Sequence, residues 1–450
     1  MISHSDDLMK RLIVLAAALS LGAAAVNAQD LKAGFFLDNS LYGTRINPAL
    51  RPAGVSSYYS MDANIGMDSN VGVSSFLFPY GDGLVTGLNK NVPADQFLGG
   101  LEDCNRVTAD FSYNILSTGK YSSSGKAFKS YGVNMRSHIG LEVPKSLFEM
   151  LKSGGDGDSY VINDLKLGMR SYAEVFFNYS RKVNDALTIG GTVKGLVGLA
   201  AADMNVSELS AVIDGDVVNV RGNGELRASL PVEFGTDAEG NIDFSDIPTD
   251  GFSLSGYGAA LDLGVTYDLF DGALQLSASI NDLGAVYWNN NTCATLAASN
   301  SFTVGDSDNA GDTLEEMFGF KSDKKGKSEM SMLPTMVNLG AKYDVPFVPG
   351  LGVGALCSFR MGDSIDKYSD IRVGASYQLG RVFGISGTCG MSNQGFVYGA
   401  AANLRLACLN VFAGIDGIPS RVTPQFVPID SMSSVVKVGV ALAFGKGRGK

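Results

Sequence analysis

The sequence predicts an all-β protein, a transmembrane antiparallel β-barrel of fourteen strands, with sixteen also open, preceded by an N-terminal segment. Three observations carry that reading. Of 450 residues only 18% are charged, 45% are hydrophobic and 56 are glycine, whereas soluble domains carry more charge and less glycine. No internal run reaches the roughly 18 uninterrupted apolar residues of a spanning helix. Through most of the chain the apolar residues recur with period two, the strand period.

The N-terminus reads as an export signal. Lys10 and Arg11 form a short basic region, and Leu12 to Val26 is almost unbroken apolar sequence. Val26-Asn27-Ala28 supplies the small residues a signal peptidase needs, so residues 1–28 are expected to be removed near Ala28. Asp6 and Asp7 sit awkwardly before the basic pair, which makes Met9 the expected start. No cysteine follows the apolar run, so no lipid anchor is expected here.

The strands come next, in order. Spans 54–66, 107–118 and 128–142 open the wall, and 166–181 and 185–201 follow. In 185–201, Leu187, Ile189, Val193, Val197 and Leu199 oppose Thr188, Gly190, Thr192 and Lys194. In 254–269, Tyr257, Leu261, Leu263, Val265 and Tyr267 share one face, opposite Asp262, Gly264 and Thr266. A turn at Asp271-Gly272 leads into 273–288, where Leu274, Leu276, Ala278 and Ile280 oppose Gln275, Ser277, Ser279 and Asn281. This is a hairpin with one apolar and one polar face. Spans 332–345, 350–363, 369–379, 382–391, 395–405, 406–414 and 433–444 complete fourteen. Lys342 and Arg372 fall on polar faces, as does Lys437 in the last strand, opposite Val436, Val438 and Val440. Two further pieces, 203–214 and 216–229, are more charged and read as an external hairpin, or else raise the count to sixteen.

Face chemistry separates a barrel from a soluble sandwich. The non-apolar faces hold mostly Gly, Ala, Ser, Thr and Asn, which suits a crowded lumen, while the aliphatic and aromatic faces suit lipid. Aromatic residues near strand ends, such as Tyr257, Tyr267, Tyr287, Trp288, Tyr343 and Phe444, fit interfacial girdles. Short connections near 182–185, 270–272, 346–350 and 380–381 alternate with long ones near 143–165, 289–331, 362–369 and 415–432. That asymmetry belongs to a barrel with short periplasmic turns and long outer loops. Domain boundaries follow: 29–53 an N-terminal segment, 54–445 the barrel, 446–450 a short basic tail.

Other signals are weaker. Pro144 to Lys152 places Leu147, Phe148 and Leu151 along one side of a short amphipathic turn or helix, read as a loop helix over a strand end or as a lid. Asp306, Asp308, Asp312, Glu315 and Glu316 lack calcium-loop spacing and read as a solvated loop. Five cysteines lie far apart without metal-ligand spacing; only Cys104 with Cys293 leaves a disulfide open. No phosphate loop, zinc motif or dinucleotide fingerprint is present. His138 is the one histidine after the leader, and no serine has the Gly-x-Ser-x-Gly context. Neither an enzyme nor a cofactor is expected. The net charge of −11 argues against nucleic acid.

Asp38 to Pro52 reads Asp-Asn-Ser-Leu-Tyr-Gly-Thr-Arg-Ile-Asn-Pro-Ala-Leu-Arg-Pro, just before the first strand. With Asn47-Pro48-Ala49 in this place it resembles proteins related to the long-chain fatty-acid transporter FadL, and more closely a Bacteroidetes branch that includes barrels similar to PorV. The stretch Ala259 to Trp288, with Asp262-Leu263-Gly264 and Asn281-Asp282-Leu283-Gly284, is also similar to that branch. The resemblance implies a fourteen-stranded barrel whose N-terminal segment folds inward as a hatch, with Asn47, Pro48 and Ala49 near its turn into the wall. A rigid N-terminal turn without gating duty is the plainer reading of those three residues. Independently of the resemblance, seven large apolar residues in 29–53, Phe35 and Phe36 among them, would forfeit hydrophobic gain if left in water. Folded inward, Phe35 and Phe36 are the candidate ligand-lining residues.

Three functional readings stay open: a passive outer-membrane transporter for small hydrophobic or amphipathic molecules, a barrel serving a cell-surface or secretion complex, and a polar porin. Lys194, Asp262, Lys342, Arg372 and Lys437 would form a sparse ionic lining, in which Asp262→Asn should be tolerated. Outer-membrane lipids and the barrel-insertion machinery are the partners any such barrel implies. N-terminal sequencing of protein from the outer-membrane fraction is expected to begin at Gln29; an intact apolar leader in the inner membrane would contradict the export reading.

Overall fold

Alternating faces give this chain strands that must bury one side and bare the other, and the sheet they form closes on itself. The computed structural model describes residues 31–445 except 82, 156, 216, 232–234, 237–241, 244–253, 297–299, 304–319, 324–325, 363–367, 394 and 418–431. The leader, the tail 446–450 and the acidic loop positions 306–316 therefore lie outside the described residues. Fourteen strands make the wall: β1 (Ser57–Ser69), β2 (Cys104–Tyr121), β3 (Ala127–Pro144), β4 (Ser159–Lys182), β5 (Leu187–Asp214), β6 (Gly256–Leu269), β7 (Leu274–Trp288), β8 (Thr335–Asp344), β9 (Leu351–Met361), β10 (Tyr368–Leu379), β11 (Phe383–Ser392), β12 (Gly395–Leu406), β13 (Leu409–Asp416) and β14 (Met432–Phe444). Each pairs antiparallel with the next, and β1 closes onto β14 with Ser57 opposite Phe444. The barrel is closed, so no sheet edge is left for lipid to meet. It is a multi-pass β-barrel consistent with an outer-membrane location.

The faces fall as the period predicts. Along β14, Val436, Val438, Val440, Leu442 and Phe444 point outward at 42–52% exposure, while Lys437, Ala441 and Ala443 are at most 2% exposed inside. Tyr257, Tyr267, Tyr287 and Tyr343 also point outward. Trp288 does not. Its neighbour Tyr287 takes the outward position, so Trp288 turns inward against Tyr172, Leu196 and Val286 and donates its indole N–H to Ser331 Oγ at 2.7 Å. It is a packing residue, not part of a girdle.

Strands β4 and β5 run 24 and 28 residues, longer than the sequence suggests. Their upper parts carry Asp164, Glu208 and Asp214, which interrupt the apolar alternation and hide the continuation. Residues 203–214 and 217–229 form a hairpin that overhangs the wall and adds no fifteenth or sixteenth strand. Its inner face, with Val206, Leu209, Val220 and Leu226, makes a core with Ile162 of β4 and with Leu147 and Met150 of a helix at Lys145–Ser153. The amphipathic stretch at 144–152 thus packs over a strand end. At this end the β11–β12 connection is short, breaking the otherwise regular alternation of loop lengths. All five cysteines are free, so no Cys104–Cys293 bond forms.

Arginine at outward Leu263 or Val440 would place a charge in lipid and is expected to cost about 2–4 kcal/mol near the bilayer midplane. Urea unfolding in liposomes checks this, with Asp271→Asn in a short turn as the control; equal loss in the control would refute the assignment of faces.

Candidate functional site: the occupied lumen

The lumen is filled by the chain's own N-terminal stretch. Residues 31–53 have no strand partner; they form short 3-10 turns at Lys32–Phe36 and Gly43–Arg45 joined by irregular backbone. Leu31, Phe35, Phe36, Leu41, Ile46 and Leu50 are all buried, in two clusters against the inner wall. Irregular backbone inside a barrel must find hydrogen-bond partners, because each orphaned group is costly. Wall side chains supply them. The Ile46 carbonyl accepts from Ser279 Oγ at 2.7 Å, Asn281 Nδ2 at 2.9 Å and Asn338 Nδ2 at 3.0 Å.

Asn47 is the residue that the sequence singled out most usefully. Its Nδ2 donates to the carbonyls of Val265 and Ala278, at 3.2 and 3.1 Å, bridging β6 and β7. Its Oδ1 accepts from the Ala49 N–H at 2.8 Å, which fixes the turn through Pro48. The Pro48 carbonyl accepts from Asn178 Nδ2 at 3.2 Å. Gly264 and Gly190 lie directly beneath: a Cβ on Gly264 would overlap Asn47 Oδ1, and one on Gly190 the Pro48 carbonyl. The wall is cut away where these residues sit. Phe35 and Phe36 meet edge to face at 5.3 Å between centroids. Phe35 also borders an open vestibule of about 660 Å³ at the short-turn end, whereas Phe36 borders none of the described cavities.

Charges tie the segment down and brace the wall behind it. Arg45 donates to both carboxylate oxygens of Asp62 at 2.8 Å each, in the bidentate geometry of a strong pair. Asp38 pairs with Lys342 at 2.6 Å. Asp416, held by Arg372 at 2.8 Å, accepts from the backbone N–H of Lys32 at 2.5 Å and of Ala33 at 3.2 Å. Lys437 lies 3.7 Å from Asp62 and over the Tyr42 ring at 5.1 Å. A second set spans five consecutive strands: Arg136 on β3, Glu174 on β4, Lys194 on β5, Asp262 on β6 and Asp282 on β7. Arg136 meets Asp282 bidentately at 2.8 and 3.0 Å and Glu174 at 3.2 Å. Lys194 meets Asp282 at 2.6 Å and Asp262 at 2.8 Å. Asn134 links the two sets, donating to Glu174 at 2.7 Å while accepting from Arg45 at 3.5 Å. A cavity of about 90 Å³ lies between this network and the segment.

All five predicted lumen-facing residues point inward, and Lys194 and Asp262 come together. Lys342, Arg372 and Lys437 stand apart, each at a different attachment of the segment. The lining is not sparse: it also holds Asp62, Asp110, Arg136, Glu174, Asp282, Arg360, Asp370 and Asp416, which were missed, and Arg45 reaches it from the segment. Strand parity marks Asp62 and Glu174 as inward once register is known. Asp282 is hidden by a bulge between β6 and β7, where its φ of 60° turns it inward beside Asn281. His138 is bonded to Asp110 at 3.0 Å.

Residues 48–416 match the model of a family described as a family of unknown function, DUF5723. The chain belongs to this family. No curated protein matches the sequence. Among solved structures the chain is similar to the toluene transporter TbuX of Ralstonia pickettii, at 11% identity and TM-score 0.48 over 90% of this chain and 95% of that one. It is also similar to the toluene transporter TodX of P. putida, at 10% identity and TM-score 0.43 over 88% and 92%. A Pseudomonas aeruginosa FadL homologue gives 12% identity and TM-score 0.40 over 92% and 96%.

Two variants probe the fit. Gly264→Val is expected to unseat the Asn47 turn without opening the barrel, read as faster thiol labelling of a cysteine placed at Thr44 with heat-modifiable gel mobility retained. Asp262→Asn is no longer expected to be neutral, since it weakens the hold on a buried ammonium and is expected to cost about 1.5–3 kcal/mol. Unchanged labelling and unchanged urea stability would refute the two expectations respectively.

Proposed function

We propose that this protein is a passive outer-membrane channel for small hydrophobic or amphipathic molecules, with residues 29–53 acting as its hatch and Asn47, Pro48 and Ala49 as the fixed turn of that hatch. The observation that carries the reading is the way the segment occupies the lumen. It buries its apolar side chains there yet is held by discrete hydrogen bonds and ion pairs rather than by strand pairing, with a cavity against it on the network side and an open vestibule at the short-turn end. A segment continuous with the sheet could not leave without tearing it; this one is attached by side chains alone. Phe35, facing the vestibule, is the candidate ligand-lining residue, and Phe36 backs it. Export by cleavage near Ala28 and insertion by the outer-membrane barrel machinery belong to the same proposal. The ionic lining disfavours an open porin, because its charges are spent on one another and on the hatch.

A second reading has its own observation. The overhang on β4 and β5 is a packed outer platform with its own apolar core. It fits a partner role in a surface or secretion complex, as for barrels similar to PorV.

Liposome flux of a fluorescent long-chain lipid separates these readings. Deletion of 31–45, with barrel insertion confirmed independently, is expected to change apolar flux severalfold. Negligible flux in both forms would favour the partner role. A leak restricted to small polar solutes would make the segment a plug and refute apolar transport.

A further inference from the structure

The outward rim at the short-turn end is uneven in a way that neither the lumen nor the hatch explains. Every strand from β5 to β14 places an exposed aliphatic or aromatic residue within two positions of that rim, among them Ile189, Tyr267, Tyr343, Tyr377 and Phe444. On β2, β3 and β4 the corresponding outward positions are Lys120, Lys129 and Arg181, all exposed. Lys120 and Lys129 are direct cross-strand partners, which brings their Cβ atoms to about 5 Å, and like charges directly opposite are destabilising. Arg181 sits two residues beyond Tyr179, the cross-strand partner of Lys129, and so lies diagonal to that lysine at roughly 7–8 Å. Among the described residues none of the three has a carboxylate within 4 Å. The Lys129 ammonium instead rests over the Tyr179 ring at 5.8 Å. One step further along the same faces come Tyr59, Tyr131 and Phe177, all exposed, forming an aromatic level above the cations.

We propose that Lys120, Lys129 and Arg181 form a binding site for the anionic headgroup of a phospholipid in the periplasmic leaflet. The short-turn end of such a barrel faces the periplasm, and interfacial aromatics mark the depth where headgroups begin. Three cations at that depth, two of them forced together by strand register, lack an anion. A lipid phosphate supplies it while its acyl chains lie on Tyr131 and Phe177. Long basic side chains reach the headgroup layer from just such positions. The proposal commits to lipid rather than a soluble anion because the three side chains stand on the lipid-facing surface and not in the lumen.

The test uses the mature protein extracted from outer membranes in mild detergent. Bound lipid is counted by native mass spectrometry during titration with phosphatidylglycerol and, in parallel, with phosphatidylcholine of the same chain length. Wild type is expected to prefer phosphatidylglycerol, and each neutralised cation to weaken that binding about fivefold. K120Q/K129Q should therefore lose about 25-fold, with phosphatidylcholine binding unchanged and the exposed loop variant Lys90→Gln like wild type. Lys129→Gln alone relieves the like-charge pair and is expected to fold at least as well as wild type, which keeps the test usable if the double variant misfolds. Equal phosphatidylglycerol retention by wild type and Lys129→Gln would overturn the proposal. So would displacement of the lipid by inorganic phosphate at equimolar concentration, which would make the site one for a free anion.

Discussion

The structure turns on one constraint: about twenty residues of irregular backbone lie inside a closed sheet whose own hydrogen bonds are already spent. Wall strands satisfy one another, so the segment at 31–53 pairs its backbone within its own short turns and reaches the wall through side chains. That requirement explains the amides on the inner face. Asn178, Asn281 and Asn338 each reach a carbonyl of the Ile46–Pro48 turn, and Asn47 answers with its own amide to two wall carbonyls. Asparagine suits the task, since it can both donate and accept without bringing a charge into the lumen. The lumen glycines follow from the same constraint, because a backbone bonded this closely leaves no room for a Cβ beneath it.

The charged residues obey a related rule. A buried charge is tolerable only when paired and hydrogen-bonded, and over five consecutive strands two cations, Arg136 and Lys194, are set among three carboxylates so that each cation has at least two carboxylates beside it. The network does more than balance charge. Arg136 and Lys194 share Asp282, so β3, β5 and β7 are linked inside the lumen; Asp282 is next in sequence to Asn281, which donates to the Ile46 carbonyl. Asn134 then carries the connection to Arg45 on the segment itself. The wall and the segment are therefore one polar construction, although only apolar burial would have been needed to fill the space.

How much of this was legible beforehand follows from the range of each interaction. Strand existence and facing are local, carried by alternation over ten or so residues, and Leu263, Val440, Asp262 and Lys437 all face as the pattern says. Trp288 was misplaced because an aromatic near a strand end was given more weight than the parity of its neighbour Tyr287. Strand length was underestimated where β4 and β5 leave the lipid band, since alternation of apolar and polar residues weakens once the outer face meets water. The pairings were not legible at all. Lys32 and Asp416 stand 384 residues apart, and no spacing rule ties Asp38 to Lys342. The Asn-Pro-Ala turn was found through resemblance; its chemistry, an amide clamped across two strands, required the register of β6 against β7.

The two halves of the segment are held differently, and that bears on what opening would require. Residues 45–48 hang on neutral amides and a hydroxyl from β4, β7 and β8, with the Arg45–Asp62 pair beside them. Residues 32–39 hang on the Asp416 carboxylate, the Asp38–Lys342 pair, the Ser386 hydroxyl to the Ala33 carbonyl at 2.8 Å and the Asn403 amide to the Asn39 carbonyl at 3.4 Å. The polar fit is incomplete in both halves: the Asn39 side chain and the Tyr42 hydroxyl are buried without a hydrogen-bond partner among the described residues, and so are the Oδ1 atoms of Asn178 and Asn281, whose amides hold the Ile46–Pro48 turn. A buried polar group left unpaired costs about 1–3 kcal/mol, and that cost is recovered when the group reaches water. Each half would therefore recover part of that cost on leaving, set against the bonds it breaks: the Asp416 and Lys342 attachments for residues 31–42, which lie along β8–β14, and the Asn178, Asn281 and Asn338 bonds for the Asn47 turn.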